Sequence, residues 1–152
     1  MREGLEIGPL TARLPTEVEW EAAIGGRGTY PWGRRFDPTR LNCAESWAEQ
    51  KWANDDEWLT RARSDAESRR EAGTTAVTTY PQGASKAGMW DGSGNVWEWM
   101  GNPYAPDSDT MALRGGAWNG DARYARVSYR VGLHPVAFSG RVGVRVVVAP
   151  VL

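Results

Sequence analysis

Few residues in this sequence are candidates for catalysis or metal binding. The sequence holds one cysteine, Cys43, and one histidine, His134, far apart in the chain. A lone thiol cannot form an internal disulfide or a multi-thiolate metal centre, and one imidazole cannot build a histidine-rich site. Because no cysteine or carboxylate lies near His134 in sequence, we interpret it as a surface contact and not as a general base.

The charge balance of the whole chain argues against some partners. The formal net charge is −1, which gives no reason to expect a nucleic acid or an anionic membrane. No stretch approaches the roughly 20 apolar residues that span a bilayer, so we expect no membrane insertion. Residues 1–12 carry two glutamates and no continuous apolar run, unlike a signal peptide. The default expectation is a cytoplasmic protein, and a surface or secreted location stays open.

Two helices are predicted to support the chemistry-bearing segments. Thr16 is followed three residues later by Glu19, which is the spacing of a capping box, and Gly25 supplies a stop. The spacing predicts a helix over 17–24. Residues 44–72 are polar with a thin apolar stripe, which predicts a solvated helix.

The C-terminal part of the sequence favours strands and a loop. Residues 126–130 are predicted to form a strand, and residues 131–140 lack any period and predict an exposed loop. Valines alternate at 142, 144, 146 and 148, which predicts a final strand with one buried face.

Composition changes sharply at Trp118. All nine tryptophans lie at or before this residue, and Trp97, Trp99 and Trp118 stand beside glycine turns, which favours core positions. Residues 1–118 hold 13 basic and 18 acidic side chains, whereas 119–152 hold five arginines and one aspartate. At 152 residues we expect one domain over 1–152, divided into a scaffold (1–118), a binding segment (119–141) and a final strand and tail (142–152).

Five motifs in the same order resemble the formylglycine-generating enzyme (sulfatase-modifying factor) family. They are RLPTEVEWE at 13–21, YPWG at 30–33, GNVWEW at 94–99, RGGAW at 114–118 and GVR at 143–145. The resemblance covers about residues 13–147. It implies an α+β class and the C-type-lectin-like fold of the formylglycine-enzyme variety, with a small twisted antiparallel sheet, two or three helices and long loops.

The family's chemistry does not carry over to this sequence. The resemblance implies an enzyme that oxidises a substrate cysteine with copper. In the family, two cysteines just after the RGGAW-like motif hold the copper. The matching positions fall near Gly120 and Ala125, and neither is a cysteine. Soft Cu(I) needs thiolate ligands, so we expect no copper and no enzyme. The alternative is a formylglycine-generating-enzyme-like oxidoreductase with a lost or displaced active site.

The resemblance also implies one calcium site. Its ligands would be side-chain oxygens of Asp91 and Glu98 and the carbonyls of Gly94 and Val96, an all-oxygen set that suits a hard ion such as Ca²⁺. A structural Ca²⁺ is therefore expected. The alternative is that Glu98 caps buried backbone N–H groups and that Asp91 sits in an Asx turn.

The C-terminal segment resembles the variable proteins of diversity-generating retroelements. In those proteins, adenine-specific mutagenic reverse transcription rewrites AAC-like codons into many residues but not into Lys, Glu, Gln, Met or Trp. Residues 119–152 lack all five types. Fixed anchors in such templates match Ala122-Arg123, Arg126, Arg130, Pro135 and 143–145.

The positions between the anchors are the predicted variable, ligand-binding residues. Phe138 is included because an exposed aromatic is a good anchor, and the register over 136–141 is left open. Tyr124, Tyr129 and Phe138 are expected to carry binding energy, although Tyr129 could instead be partly buried. The full set is Asn119, Gly120, Asp121, Tyr124, Tyr129, Val131, Gly132, Leu133, His134, Ala137, Phe138, Ser139, Gly140 and Arg141.

Together these patterns predict a non-catalytic protein that displays 119–141 to a protein or other macromolecular ligand. The alternative for this segment is the ordinary ending of a family member that has lost catalysis. Asp121 is expected to pair with Arg123 or to contact a ligand. Arg114, Arg130 and Arg145 are expected to hold loops through bonds to carbonyls or carboxylates.

Overall fold

The computed structural model describes residues 9–25, 28–47 and 72–150. Within them lie two α-helices, two 3₁₀ turns (Pro38–Arg40 and Pro81–Gly83) and six strands. The helices are α1 (Glu17–Ile24) and α2 (Ala44–Trp47), and most of the helix predicted over 44–72 lies outside the described residues. The strands are β1 (Leu10–Arg13), β2 (Trp97–Pro103), β3 (Met111–Arg114), β4 (Val131–Leu133), β5 (Val142–Gly143) and β6 (Val147–Pro150).

Helix α1 begins and ends where the sequence predicts. The Glu19 amide donates to Thr16 Oγ1 at 3.3 Å, and the Thr16 amide donates to Glu19 Oε2 at 2.8 Å. These two bonds complete the capping box. Gly25 ends the helix with φ +87°, a conformation that costs glycine little. The helix prediction is confirmed.

Four strands form the main sheet in the order β4-β3-β2-β5, and β1 pairs with β6 in a second, two-stranded sheet. The pairs β4–β3, β3–β2 and β1–β6 are antiparallel, whereas β5 runs parallel to β2. The α+β class and the C-type-lectin-like fold are confirmed. The main sheet is mixed and not purely antiparallel, because the chain approaches β5 through the long loop after β4.

The four alternating valines do not share the predicted buried face: Val142 is half-buried, and the three that follow it are exposed. Val144, Val146 and Val148 are 67%, 58% and 63% exposed. The intervening Arg145 turns inward to a carboxylate on β2. The predicted single strand is also two short strands, β5 and β6.

Residues 126–130 form a turn and not the predicted strand. The Tyr129 amide donates to the Arg126 carbonyl at 2.9 Å, and the Val127 amide donates to the Thr29 carbonyl at 2.9 Å. Bonds to a distant loop therefore replace a strand ladder. Part of the predicted loop over 131–140 is strand β4, because residues 131–133 pair with β3.

Two hydrophobic clusters form the core. One contains Trp20, Ile24, Met89, Met100, Ala112 and Val127. The other contains Tyr30, Leu41, Cys43 and Ala125, with Trp32 stacked on Tyr30 at 5.3 Å between ring centroids. Trp97, Trp99 and Trp118 are half-buried, so the expectation that they fill the core is wrong.

Candidate functional site

One cleft gathers most of the predicted variable positions. It has a volume of about 490 Å³, within the roughly 300–1,000 Å³ of small-molecule sites. Eleven of the fourteen positions line it: Asn119, Gly120, Asp121, Tyr124, Val131, Gly132, Leu133, Ala137, Phe138, Ser139 and Arg141. Tyr129, His134 and Gly140 lie outside the lining.

The floor of the cleft is one face of the four-stranded sheet. Trp97 on β2 pairs with Val142 on β5, and Leu113 on β3 pairs with Val131 on β4. Directly paired residues present their side chains on the same face of a sheet. The register therefore places residues of all four strands on the cleft face. Trp97, Leu113, Val142 and Ala44 line the cleft, and sequence reasoning missed them.

Three aromatic rings stiffen one side of this floor. The ring centroids of Tyr124 and Tyr129 lie 5.0 Å apart at an interplanar angle of 87°, and Trp97 lies 6.2 Å from Tyr124 and 6.1 Å from Tyr129. Edge-to-face packing of this kind stabilises ring positions beyond simple area burial. Tyr129 is half-buried behind Tyr124. The sequence left open whether Tyr129 is an exposed contact or partly buried, and the structure shows that it is partly buried.

The wall formed by 119–122 is less exposed than a freely variable surface would be. Asn119 is 7% and Asp121 is 5% exposed, so the expectation of open positions is wrong at these two residues. Asp121 Oδ2 accepts from Arg123 Nη2 at 2.7 Å, and Asp121 Oδ1 accepts from the Arg123 amide at 2.8 Å. Asp121 thus pairs with Arg123, one of its two predicted roles.

The opposite rim is a loop over 134–141 with an exposed apolar tip. Phe138 is 94% and Val136 is 77% exposed. The Ala137 amide donates to the His134 carbonyl at 2.9 Å, and the Trp97 amide donates to the Arg141 carbonyl at 2.8 Å. These bonds fix the loop at both ends and leave its tip in solvent, with His134 exposed outside the cleft.

The arginines at the strand ends attach this region to the rest of the protein. Arg130 Nε donates to Glu17 Oε1 at 2.8 Å, and Arg114 Nη1 donates to the Val127 carbonyl at 2.9 Å. Arg145 Nε donates to Glu98 Oε2 at 2.8 Å. The structural role predicted for these three arginines is confirmed.

The residues named for calcium lie on a tightly turned backbone. Asp91, Gly94 and Asn95 have φ of +50°, +82° and +66°. Asp91 Oδ2 is buried without a hydrogen-bond partner among the described residues. Burial raises the pKa of Asp91, while the Arg145 guanidinium lowers this pKa and the Glu98 carboxylate raises it. An orphaned, buried carboxylate oxygen is an atom that a cation would satisfy.

Glu98 is shared between other partners. Its Oε2 accepts from Trp20 Nε1 and Arg145 Nε, both at 2.8 Å, and its Oε1 accepts from Arg145 Nη2 at 2.5 Å. A carboxylate has about four acceptor sites, which leaves roughly one free. Among the described residues no group of three or more His, Cys, Asp or Glu side chains could hold a metal. Asp91 Oδ2 and the remaining acceptor site of Glu98 are oxygens of the kind that a hard cation takes. The calcium site over Asp91, Gly94, Val96 and Glu98 stays a prediction.

No helix in the described ranges is both long enough and apolar enough to cross a bilayer.

The mixed sheet, the helix packed against it and the long loops define a C-type-lectin-like domain of the formylglycine-enzyme variety. The chain belongs to the family described as the sulfatase-modifying factor enzyme 1-like domain, which matches residues 8–150.

Relatives in this family include inactive and active enzymes. The chain is 39% identical over 143 residues to the "Inactive C-alpha-formylglycine-generating enzyme 2" of Bos taurus, covering 88% of this chain and 42% of that protein. It is 32% identical over 157 residues to the "Hercynine oxygenase" of Mycobacterium tuberculosis, covering 88% of this chain and 32% of that protein. The chain therefore spans less than half the length of either relative.

Two solved structures share the fold. "Treponema denticola variable protein 1" superposes with a TM-score of 0.63 at 24% identity, covering 91% of this chain and 48% of that one. PvdO from Pseudomonas aeruginosa superposes with a TM-score of 0.65 at 18% identity, covering 92% of this chain and 53% of that one.

Proposed function

We propose that this domain is a non-catalytic ligand-binding protein whose diversified surface, residues 119–141, is generated by a diversity-generating retroelement. The observation that carries the proposal is the convergence of eleven predicted variable positions on one cleft, whose sheet has no predicted variable position in β2, β3 or β5. Ten of the eleven are positions that the sequence pattern of fixed anchors predicts, and the eleventh is the exposed aromatic Phe138. Their placement in one concavity is what a binding surface requires.

The cleft combines a rigid floor with an adaptable rim. The floor is built on paired strands and packed rings, so its shape does not depend on the tip of the 134–141 loop. Phe138, at 94% exposure, projects beside the cleft and supplies apolar area to a partner. Rigid aromatic anchors with small polar neighbours, such as Ser139, are the composition that antibody-like surfaces use. This chemistry suits a protein or other macromolecular ligand.

The arginine excess of the C-terminal segment does not make it a nucleic-acid site. Arg123 pairs with Asp121, Arg130 with Glu17 and Arg145 with Glu98. Three of the five arginines after Trp118 are therefore neutralised by carboxylates. Little basic surface remains for phosphate binding, which supports a partner other than nucleic acid.

The positions that would hold copper support a role without catalysis. Gly120 lines the cleft wall, and Ala125 is 2% exposed within the second core cluster. The one thiol, Cys43, is 0% exposed, and burial raises its pKa far above the usual range, so it would not form a thiolate ligand readily. The word "Inactive" in the name of the Bos taurus relative agrees with this proposal.

The retroelement origin has its own test. Copies of the gene should be sequenced from a growing population and compared codon by codon. We expect differences to cluster at the fourteen positions, as substitutions at adenines of a nearby template repeat. Differences spread evenly over 1–152, or confined to third codon positions, would contradict the proposal.

A second assay distinguishes the proposed binding function from the oxidoreductase alternative. The purified protein should be incubated with Cu(I), oxygen and a cysteine-containing peptide while oxygen consumption is recorded. We expect no copper binding above background and no oxygen uptake beyond that of copper alone. Robust thiol-dependent turnover would overturn the non-catalytic assignment.

The cytoplasmic location remains a prediction, as does the absence of membrane insertion.

A further inference from the structure

Hydrogen bonds to its own backbone hold the wall of the cleft against distant parts of the chain. The Ala44 amide donates to the Gly120 carbonyl at 3.0 Å, and the Ala122 amide donates to Glu45 Oε1 at 2.8 Å. The Tyr30 hydroxyl donates to the Ala122 carbonyl at 3.0 Å. Each of these bonds joins residue 120 or 122 to a residue far away in sequence.

The same pattern continues along the next residues. Ser93 Oγ donates to the Ala125 carbonyl at 2.8 Å, and Arg114 Nη1 donates to the Val127 carbonyl at 2.9 Å. Four side chains of the scaffold thus bind main-chain atoms of 122–127. None of these bonds uses a side chain of the segment, so none depends on which residues the segment carries.

We infer that Glu45, Tyr30, Ser93 and Arg114 form a backbone clamp that fixes the conformation of 120–127 whatever side chains that segment displays. The clamp deepens the proposed function and rests on it only for its use in ligand binding. Two apolar side chains of the segment pack inward: Ala125 and Val127 are 2% and 4% exposed and are absent from the predicted variable set. Of the predicted variable positions in the segment, Asp121 is 5% exposed, whereas Gly120 and Tyr124 line the cleft.

Of the four clamp residues, Glu45 is the one whose substitution should most weaken the protection of 120–127 from amide exchange. It is half-buried at the start of α2, its Oε1 binds the Ala122 amide, and its Oε2 is buried without a hydrogen-bond partner among the described residues. The groups that face it are the Cys43 thiol, the Asp121 carboxylate and the Tyr30 hydroxyl. Burial raises the pKa of Glu45, and Asp121 adds to that rise. An unpaired buried carboxylate oxygen costs stability, and the bond from the Ala122 amide to Glu45 Oε1 is the contribution that Glu45 makes to the wall.

The test is amide hydrogen exchange of the intact chain, read by peptide across 119–127 and across β2 as an internal reference. Glu45→Ala should raise exchange at the Ala122 amide by roughly tenfold, the change expected for one buried hydrogen bond. Glu45→Gln keeps an oxygen at that position and should restore most of the protection. Tyr30→Phe removes only the hydroxyl and should give a smaller rise in the same peptide, which keeps the test usable if Glu45→Ala unfolds.

The matched control changes the displayed side chains and leaves the clamp in place. Tyr124→Phe should leave exchange over 119–127 within about twofold of the unmodified protein. The inference is overturned if this substitution loosens the segment as much as Glu45→Ala does, or if Glu45→Ala and Tyr30→Phe both leave exchange unchanged. The clamp could hold even if gene copies proved identical, so its failure is distinguishable from failure of the proposed function.

Discussion

Arg130 Nε lies 2.8 Å from Glu17 Oε1, which joins the turn before β4 to the first turn of α1. The same carboxylate binds Arg114, whose side chain is 4% exposed. Glu17 therefore bridges two arginines at the junction between the helix, β3 and the cleft region, and Glu21 supplies a second carboxylate to Arg114. Removing one member of a buried ion-pair network costs more than removing a surface pair.

Acid should weaken this junction. Burial alone would raise the pKa of Glu17, but hydrogen bonds from Arg130, Asn102 and Arg114 together hold it below its ordinary value of 4.5. Since the folded-state pKa lies below the unfolded one, this contribution to the free energy of unfolding is present above about pH 4.5 and is lost as the pH falls through the folded-state value. We expect the free energy of unfolding, measured with denaturant, to decline below about pH 4.5.

Glu17→Gln tests the source of that decline. The variant should lose about 1.5–3 kcal/mol at pH 7, because Arg114 keeps its ion pair with Glu21. Its stability should also fall less steeply with acid than that of the unmodified protein. Urea melts at several pH values measure both effects. An equally steep acid decline in the variant would assign the pH dependence to other carboxylates.

Tyr124 and Phe138 provide a matched pair of aromatic substitutions within the predicted variable set. Phe138 is 94% exposed, so Phe138→Ala should change the free energy of unfolding by less than about 0.5 kcal/mol. Tyr124 packs against Trp97 and Tyr129, so Tyr124→Ala should cost about 2 kcal/mol. Thermal melts of the two variants give the comparison. A larger loss from Phe138→Ala would mean that the loop tip is part of the core.

Gly132 and Gly140 should differ although both are predicted variable positions. A Cβ at Gly132 would lie 2.8 Å from both Tyr104 Cγ and Thr110 Oγ1, whereas a Cβ at Gly140 meets nothing within 4 Å. Overpacking costs about 1–3 kcal/mol, so Gly132→Ala should lower the Tm while Gly140→Ala should not. Equal tolerance at both positions would show that Tyr104 yields easily. In gene copies, we expect diversity at residue 140 to exceed that at residue 132.

Calcium can be tested with a substitution that leaves the Arg145–Glu98 pair intact. Glu98→Ala would unpair Arg145 and destabilise the protein with or without a metal. Asp91→Asn removes one charge at the orphaned oxygen instead. If Ca²⁺ binds, millimolar CaCl₂ should raise the Tm of the unmodified protein, a chelator should reverse the rise, and Asp91→Asn should respond weakly. No response of the unmodified protein to either reagent would retire the site.

Local features of the fold were readable from the sequence because their causes lie within a few residues. The Thr16–Glu19 capping box requires only a spacing of three, and Gly25 ends the helix because its backbone adopts positive φ. The change in composition after Trp118 also marked the segment that builds the cleft. In each case the determining groups are neighbours in the chain.

The sequence alone did not decide which surfaces face one another. Alternation of the valines predicted two faces. The inward bond from Arg145 to Glu98, a residue 47 positions away, leaves the neighbouring Val144 and Val146 exposed. The floor of the cleft is likewise built from strands that are distant in the chain, with Trp97 beside Val142 and Leu113 beside Val131. Burial depends on what packs against a face, and that is a property of the assembled tertiary structure.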